Sequence, residues 1–119
     1  NPLSLKSAIK NYDKINFKKS NKYMLIGDML ELGSHSRRLH RSIAPIINQS
    51  KIDKVYVKGK MASIIFKDIS KAKKGRILLN KSQIIELIRK DLNNNDYLMI
   101  KASLATGFND IVKDLKGLR

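Results

Sequence analysis

Tyr23-Met24-Leu25-Ile26-Gly27-Asp28 is an unbroken apolar run closed by a glycine and an aspartate. Three further segments repeat this form: Val55-Tyr56-Val57 before Lys58-Gly59, Ile77-Leu78-Leu79 before Asn80, and Tyr97-Leu98-Met99-Ile100 before Lys101. None alternates apolar with polar residues, which is the pattern of strands buried on both faces of a parallel sheet. Between them, apolar residues recur at helical spacing: Leu39, Ile43, Ile46 and Ile47, then Met61, Ile64 and Ile65, then Ile84, Ile85, Ile88 and Leu92. Leu5, Ala8, Ile9 and Tyr12 form such a stripe before the first run, and Phe108, Ile111, Val112 and Leu115 form one after the last.

Helix punctuation agrees with this division. Asn1 before Pro2 reads as an N-cap with proline at the first helical position. Asn80 and Gln83 have the spacing of a capping box. Pro45 should kink or shorten a helix running from about Ser36 to Gln49, because it removes one backbone donor and crowds the preceding turn. Asn93-Asn94-Asn95 makes a turn. The predicted order is α-β-α-β-α-β-α-β-α. It implies a layered α/β fold: a mostly parallel sheet with helices on both faces, occupying residues 1–119 as a single domain.

Composition bounds the chemistry. The chain has 119 residues and no cysteine, so disulfides, iron–sulfur clusters and cysteine nucleophiles are excluded. His35 and His40 are the only histidines, which excludes a multi-histidine metal centre. No apolar run reaches membrane-spanning length. Twenty-five Lys and Arg against 10 Asp and Glu give a net charge of +15. That charge raises nucleic-acid binding as a rival function, with Lys18-Lys19-Lys22, Arg37-Arg38-Arg41 and Lys71-Lys73-Lys74-Arg76 as its clusters. The aromatic residues fall mostly in the core runs instead of interleaving with these clusters as stacking platforms. The simpler reading is a solvated basic surface.

In open α/β sheets, ligands bind outside the carboxyl ends of the strands. The candidate turns are therefore Gly27-Asp28, Lys58-Gly59, Asn80-Lys81 and Lys101-Ala102-Ser103. No phosphate-loop motif, dinucleotide glycine fingerprint, nucleophile elbow or His-Glu-x-x-His pair is present. The chain itself supplies no complete catalytic centre and no metal site.

Leu25-Ile26-Gly27-Asp28-Met29-Leu30-Glu31-Leu32-Gly33, followed by Ser36 and His40, resembles the G-D-M-x-E-L-G…S-x-x-x-H stretch of the Mur ligases. Asn1-Pro2-Leu3-Ser4 is similar to the N-P-x-S segment that opens the C-terminal domain of that family. Ile52-Asp53 through Gly59 and Tyr97 through Gly107 resemble two further family strands with their turns. The resemblance covers essentially the whole chain in order. It implies a Rossmann-like domain, the last of a three-domain bacterial enzyme of peptidoglycan biosynthesis. The implied reaction is ATP-dependent amide ligation, joining D-alanyl-D-alanine to UDP-N-acetylmuramoyl-tripeptide through an acyl phosphate. ATP and Mg²⁺ would be held mainly by a central domain outside this chain. The resemblance further implies a cytoplasmic, monomeric enzyme with no membrane and no specific nucleic-acid partner, and predicts that the isolated fragment is inactive.

The implied sites follow residue by residue. Asn1, Asp28 and Glu31 fall on the ATP and hinge side. Lys101, Ser103, Leu104, Thr106 and Gly107 fall on the turn that contacts the amino substrate. Asn1 also reads as a simple helix cap. Asp28 and Glu31 read equally as cleft-lining groups or as acidic caps of the next helix. His40 reads as a packed helix residue, with a direct role as the lesser alternative. Two departures stand out. Ala102 replaces a glycine of the family turn, and Leu104 replaces an arginine that would meet the dipeptide carboxylate.

Overall fold

The computed structural model describes residues 1–15 and 20–102. The expected final helix with Phe108, Ile111, Val112 and Leu115, together with Lys18 and Lys19, lies outside the described residues. The chain begins with α1 (Pro2–Lys14) and β1 (Lys22–Gly27), then a 3₁₀ turn at Gly33–His35, α2 (Ser36–Arg41) and α3 (Ala44–Gln49). It continues with β2 (Lys54–Lys58), α4 (Ala62–Lys67), a 3₁₀ turn at Lys71–Lys73, β3 (Lys74–Ile77), α5 (Lys81–Glu86), a π turn at Leu87–Asp91 and β4 (Tyr97–Lys101).

The strands form one sheet in the order β3-β2-β1-β4, with every pair parallel. All of β1 is buried, and it is paired on both edges, with Met24 opposite Val55 on one side and Met99 on the other. Successive side chains of a strand point to opposite faces, so the apolar runs feed two cores. Met24, Ile26, Val55 and Val57 pack with Leu5, Ile9, Ile43, Ile47 and Ile65 on the face covered by α1, α3 and α4. Tyr23, Leu25 and Tyr56 pack with Leu78, Ile84, Leu87 and Ile88 on the face covered by α5 and the π turn. The α/β fold, with helices on both faces of a parallel sheet, is the one expected.

Capping follows the sequence closely. Ser4 N–H donates to Asn1 Oδ1 at 2.7 Å, and Gln83 N–H donates to Asn80 Oδ1 at 3.0 Å. The Gln83 side chain reaches back one residue further than a standard box, accepting from Leu79 N–H at 2.6 Å. Pro45 does more than kink. The expected 36–49 helix is two helices, broken at Ser42-Ile43, with Pro45 in the first turn of α3. The first turn is the part of a helix where a residue without N–H loses nothing.

One strand differs from expectation. The predicted Ile77-Leu78-Leu79 strand is instead Lys74–Ile77. Its register against β2 pairs Val55 with Lys74 and Val57 with Ile77, so β3 carries one extra residue in a bulge. Leu78 is then drawn into the core at 2 % exposure while Leu79 is left 74 % exposed. Gly75 permits this edge pairing to lie under an aromatic ring: a Cβ there would stand 2.6 Å from the Tyr56 ring. Lys74-Gly75-Arg76 lacks an apolar signal because this is an edge strand, where charge discourages pairing with other chains.

Lys22 is buried where β1 begins, and its ammonium donates to the Tyr12 carbonyl at 2.8 Å near the end of α1. A cation at a helix C-terminus complements the exposed carbonyls and the dipole. Tyr12 Oη–H in turn donates to the Tyr23 carbonyl at 3.2 Å, fastening α1 to β1. Burial pushes the Tyr12 hydroxyl from the ordinary 10.0 up to about 12. Burial raises Tyr23 and Tyr56 in the same direction, helped at Tyr56 by its bond to the Asp91 carboxylate.

These raised values favour the neutral phenol in the folded state. Their contribution to stability is complete below the ordinary tyrosine value and is lost as pH climbs through the folded-state values. Urea unfolding should therefore show stability falling between about pH 10 and pH 12. The fall should be shallower in Tyr12→Phe, although that variant starts less stable at neutral pH. Equal slopes in both proteins would contradict the assignment.

Candidate functional site

The chain leaves β1 for β2 by way of α2 and α3 on one face, and reaches β4 from β3 by way of α5 on the other. Right-handed crossovers in opposite directions require opposite faces. The neighbouring ends of β1 and β4 are therefore a topological switch point, the place where ligands bind in open α/β sheets. A cleft of about 70 Å³ lies there, lined by Asn1, Leu5, Met29, Lys101 and Ala102.

Residues from both ends of the described chain meet in this cleft. Along β4, Leu98, Ile100 and Ala102 pack toward the α5 core, while Met99 packs toward the α1 core. Lys101 shares the Met99 face by strand alternation, which brings it to the N-terminus of α1 and to Asn1. A lysine ammonium there suits a carboxylate or a phosphate. Leu5 and Met29 form the apolar wall. They were legible in the sequence only as core or motif residues, because nothing local announces that they share a cleft.

Asp28, Glu31 and His40 do not line the cleft. Asp28 does cap a helix, but not the next one. Its Oδ1 accepts the Ala62 N–H of α4 at 2.7 Å, across 34 residues of chain. The carboxylate also lies against Gly59, whose φ is +121°. A Cβ at Gly59 would come within 2.6 Å of Asp28 Cγ. The turns after β1 and β2 are thereby locked together, and Gly59 is needed for both its conformation and its lack of a side chain. Glu31 is exposed and sits in the left-handed region, at φ +64°, one residue before the short Leu32 link to the 3₁₀ turn.

His40 is fully buried, and both ring nitrogens are engaged. Nε2 accepts the Met29 N–H at 3.0 Å, which assigns the ring proton to Nδ1, 2.8 Å from the Ser36 carbonyl. The imidazole thus ties the loop that carries Met29 to α2. Sequence spacing placed His40 on a helix, but the loop amide it serves lies in the preceding motif. Ser103, Leu104, Thr106 and Gly107 lie outside the described residues. Among the described residues no group of three or more His, Cys, Asp or Glu could hold a metal ion.

A family described as Mur ligase, glutamate ligase domain, matches residues 1–104. The UDP-N-acetylmuramoyl-tripeptide–D-alanyl-D-alanine ligase of Bacillus subtilis is 30% identical over 117 residues, covering 96% of this chain and 25% of that protein. The enzyme of the same name from Rickettsia prowazekii is 29% identical, covering 93% of this chain and 24% of its own length. The chain thus spans about a quarter of the curated relatives it matches. Among solved structures, the MurF ligase of Thermotoga maritima in complex with ADP superimposes with a TM-score of 0.77 at 22% identity, over 95% of this chain and 25% of that one. MurF from Acinetobacter baumannii gives the same TM-score and identity over 97% of this chain. At that identity the likeness speaks for the fold.

Replacing His40 by alanine opens a cavity and leaves the buried Met29 N–H without an acceptor. The expected loss of stability is about 2–4 kcal/mol, measured by chemical unfolding. A loss under about 1 kcal/mol would mean that the loop does not depend on this bond.

Proposed function

This chain belongs to the Mur ligase family, and from that premise we propose that it is the C-terminal domain of a bacterial three-domain ligase. The proposed enzyme joins D-alanyl-D-alanine to UDP-N-acetylmuramoyl-tripeptide in the cytoplasm, as a monomer, for peptidoglycan synthesis. The names of the Bacillus and Rickettsia relatives, which match over nearly all of this chain, support that substrate pair. The ADP complex of the Thermotoga neighbour supports a nucleotide co-substrate.

The observation that carries the reading is the size and lining of the switch-point cleft. Small-molecule sites enclose roughly 300–1,000 Å³. A cleft of about 70 Å³ accommodates one end of a ligand, not a whole nucleotide or dipeptide. That suits a domain that closes over substrates held mainly elsewhere. ATP would supply the phosphoryl group that activates the tripeptide carboxylate, with Mg²⁺ bound by the central domain.

The chain's own residues bind and orient. Lys101 presents its ammonium to a substrate carboxylate or phosphate at the cleft. Ser103, Leu104, Thr106 and Gly107 are assigned to the amino substrate by their match to the family motif. By the family resemblance Asn1, Asp28 and Glu31 are assigned to the ATP and hinge side, though of the three only Asn1, which already caps α1, lines this cleft. Asp28 acts there by fixing the two strand-end turns, and His40 by fixing Met29. The burial of Tyr12, Tyr23 and Tyr56 in the cores speaks against the nucleic-acid reading, since, of the described tyrosines, only Tyr97 is exposed for stacking.

In the full-length enzyme, Lys101→Ala and Ser103→Ala should each raise KM for D-alanyl-D-alanine or ATP by about tenfold, as expected for a lost charge-assisted or hydroxyl contact. Unchanged steady-state kinetics in both would remove this turn from the site. The 119-residue chain alone should not hydrolyse ATP when given the dipeptide and the UDP-linked tripeptide. Hydrolysis dependent on both would overturn the division of labour.

A further inference from the structure

The Lys71–Arg76 and Arg37–Arg41 clusters of this chain are used differently. In the Lys71–Arg76 run, Lys73 Nζ donates to the Ser50 and Ile52 carbonyls at 2.9 and 2.6 Å. Lys74 lies over the Phe66 ring, and Arg76 pairs with Asp91 at 2.7 Å while lying over Tyr56. Those charges are absorbed within the fold. The arginines of α2 are not. Ser34, Arg37, Arg38 and Arg41 recur at the spacing of one helical face and line an open groove of about 540 Å³.

Among the described residues, little neutralises that face. Arg41 pairs with Asp68 at 3.1 Å, both side chains being largely exposed. Arg38 reaches only the His35 ring at 3.1 Å. Arg37 has no hydrogen-bond or ion-pair partner among the described residues. Three guanidiniums therefore share one carboxylate on two turns of helix, an arrangement that repels itself unless an anion joins it. The opposite face of the same helix carries His40 into the core, so the groove stands on a fixed element.

We infer that the Ser34–Arg41 groove is a binding site for a small anion bearing adjacent phosphate groups, separate from the switch-point cleft. Guanidinium forks match phosphate oxygens in pairs and stay charged at every physiological pH. The stripe is about 10 Å long, which fits a diphosphate better than a polymer track. Among the described residues, the groove lining includes no aromatic residue to stack bases and no apolar residue to enter a lipid surface. This site does not depend on the ligase reading, and its test does not involve that activity.

The test is calorimetric titration of the full chain with inorganic pyrophosphate at physiological salt. Saturable binding of one equivalent is expected, weakening as salt rises. The double variant Arg37→Gln/Arg38→Gln should lose about tenfold or more in affinity. Its circular dichroism and melting temperature should match the parent. The control Lys6→Gln/Lys10→Gln removes the same charge from α1 and should bind like the parent. Parallel titrations use a short single-stranded DNA and phosphatidylglycerol vesicles. Absence of saturable pyrophosphate binding, or equal losses in both double variants, would overturn the site. So would arginine-dependent binding that appears only with DNA or only with vesicles.

Discussion

A strand paired on both edges and buried on both faces leaves no residue free to satisfy itself with water. β1 is that strand, and much of the architecture follows from it. Its alternating side chains demand a helical layer above and another below, which α1, α3 and α4 supply on one face and α5 on the other. Even the residue that begins it is drawn in. Lys22 is buried, so its ammonium must find acceptors, and the carbonyl of Tyr12 provides one. The same contact, with the Tyr12 hydroxyl on Tyr23, sets where α1 docks and hence where Asn1 sits.

The loop leaving β1 is held from two directions. Asp28 reaches across to the first amide of α4, and Met29 is bound by the buried ring of His40. Each bond satisfies a backbone donor that would otherwise be costly to bury or to leave at a helix end. Together they turn a strand-end loop into rigid scaffolding and present Met29 to the crevice opposite Lys101. A strand-end loop tied at both points keeps its shape through bonds internal to the fold.

Charge in this protein is not one property. The large positive excess contains lysines and arginines bonded to backbone carbonyls, stacked on rings and paired with carboxylates, which serve the fold. It also contains an arginine face with almost no internal counter-charge. Net charge alone could not separate these two uses, because both read as runs of basic residues. Only the partners of each side chain distinguish them.

The strand–helix alternation, the caps at Asn1 and Asn80 and the double burial of β1 and the middle of β2 were legible in the residues, whereas β3 and β4 are only partly buried. Each depends on periodicity or on contacts within a few positions. The Gly27–Gly33 motif carried the family for the same reason, being local and distinctive. The limits of β3 were not legible, because an edge strand takes its register from a neighbour and here includes lysine, glycine and arginine instead of Leu78 and Leu79. Nor was the division of the 36–49 segment into two helices separated by Ser42-Ile43, although Pro45 marked the place. The partners of Asp28 and His40, and the meeting of Asn1 with Lys101, were decided by the tertiary structure. They join residues distant in sequence, whose approach depends on strand order and helix docking. Local pattern by itself determined which elements form and what family they resemble. The packing of the two faces around β1 decided which of their residues stand together at the cleft.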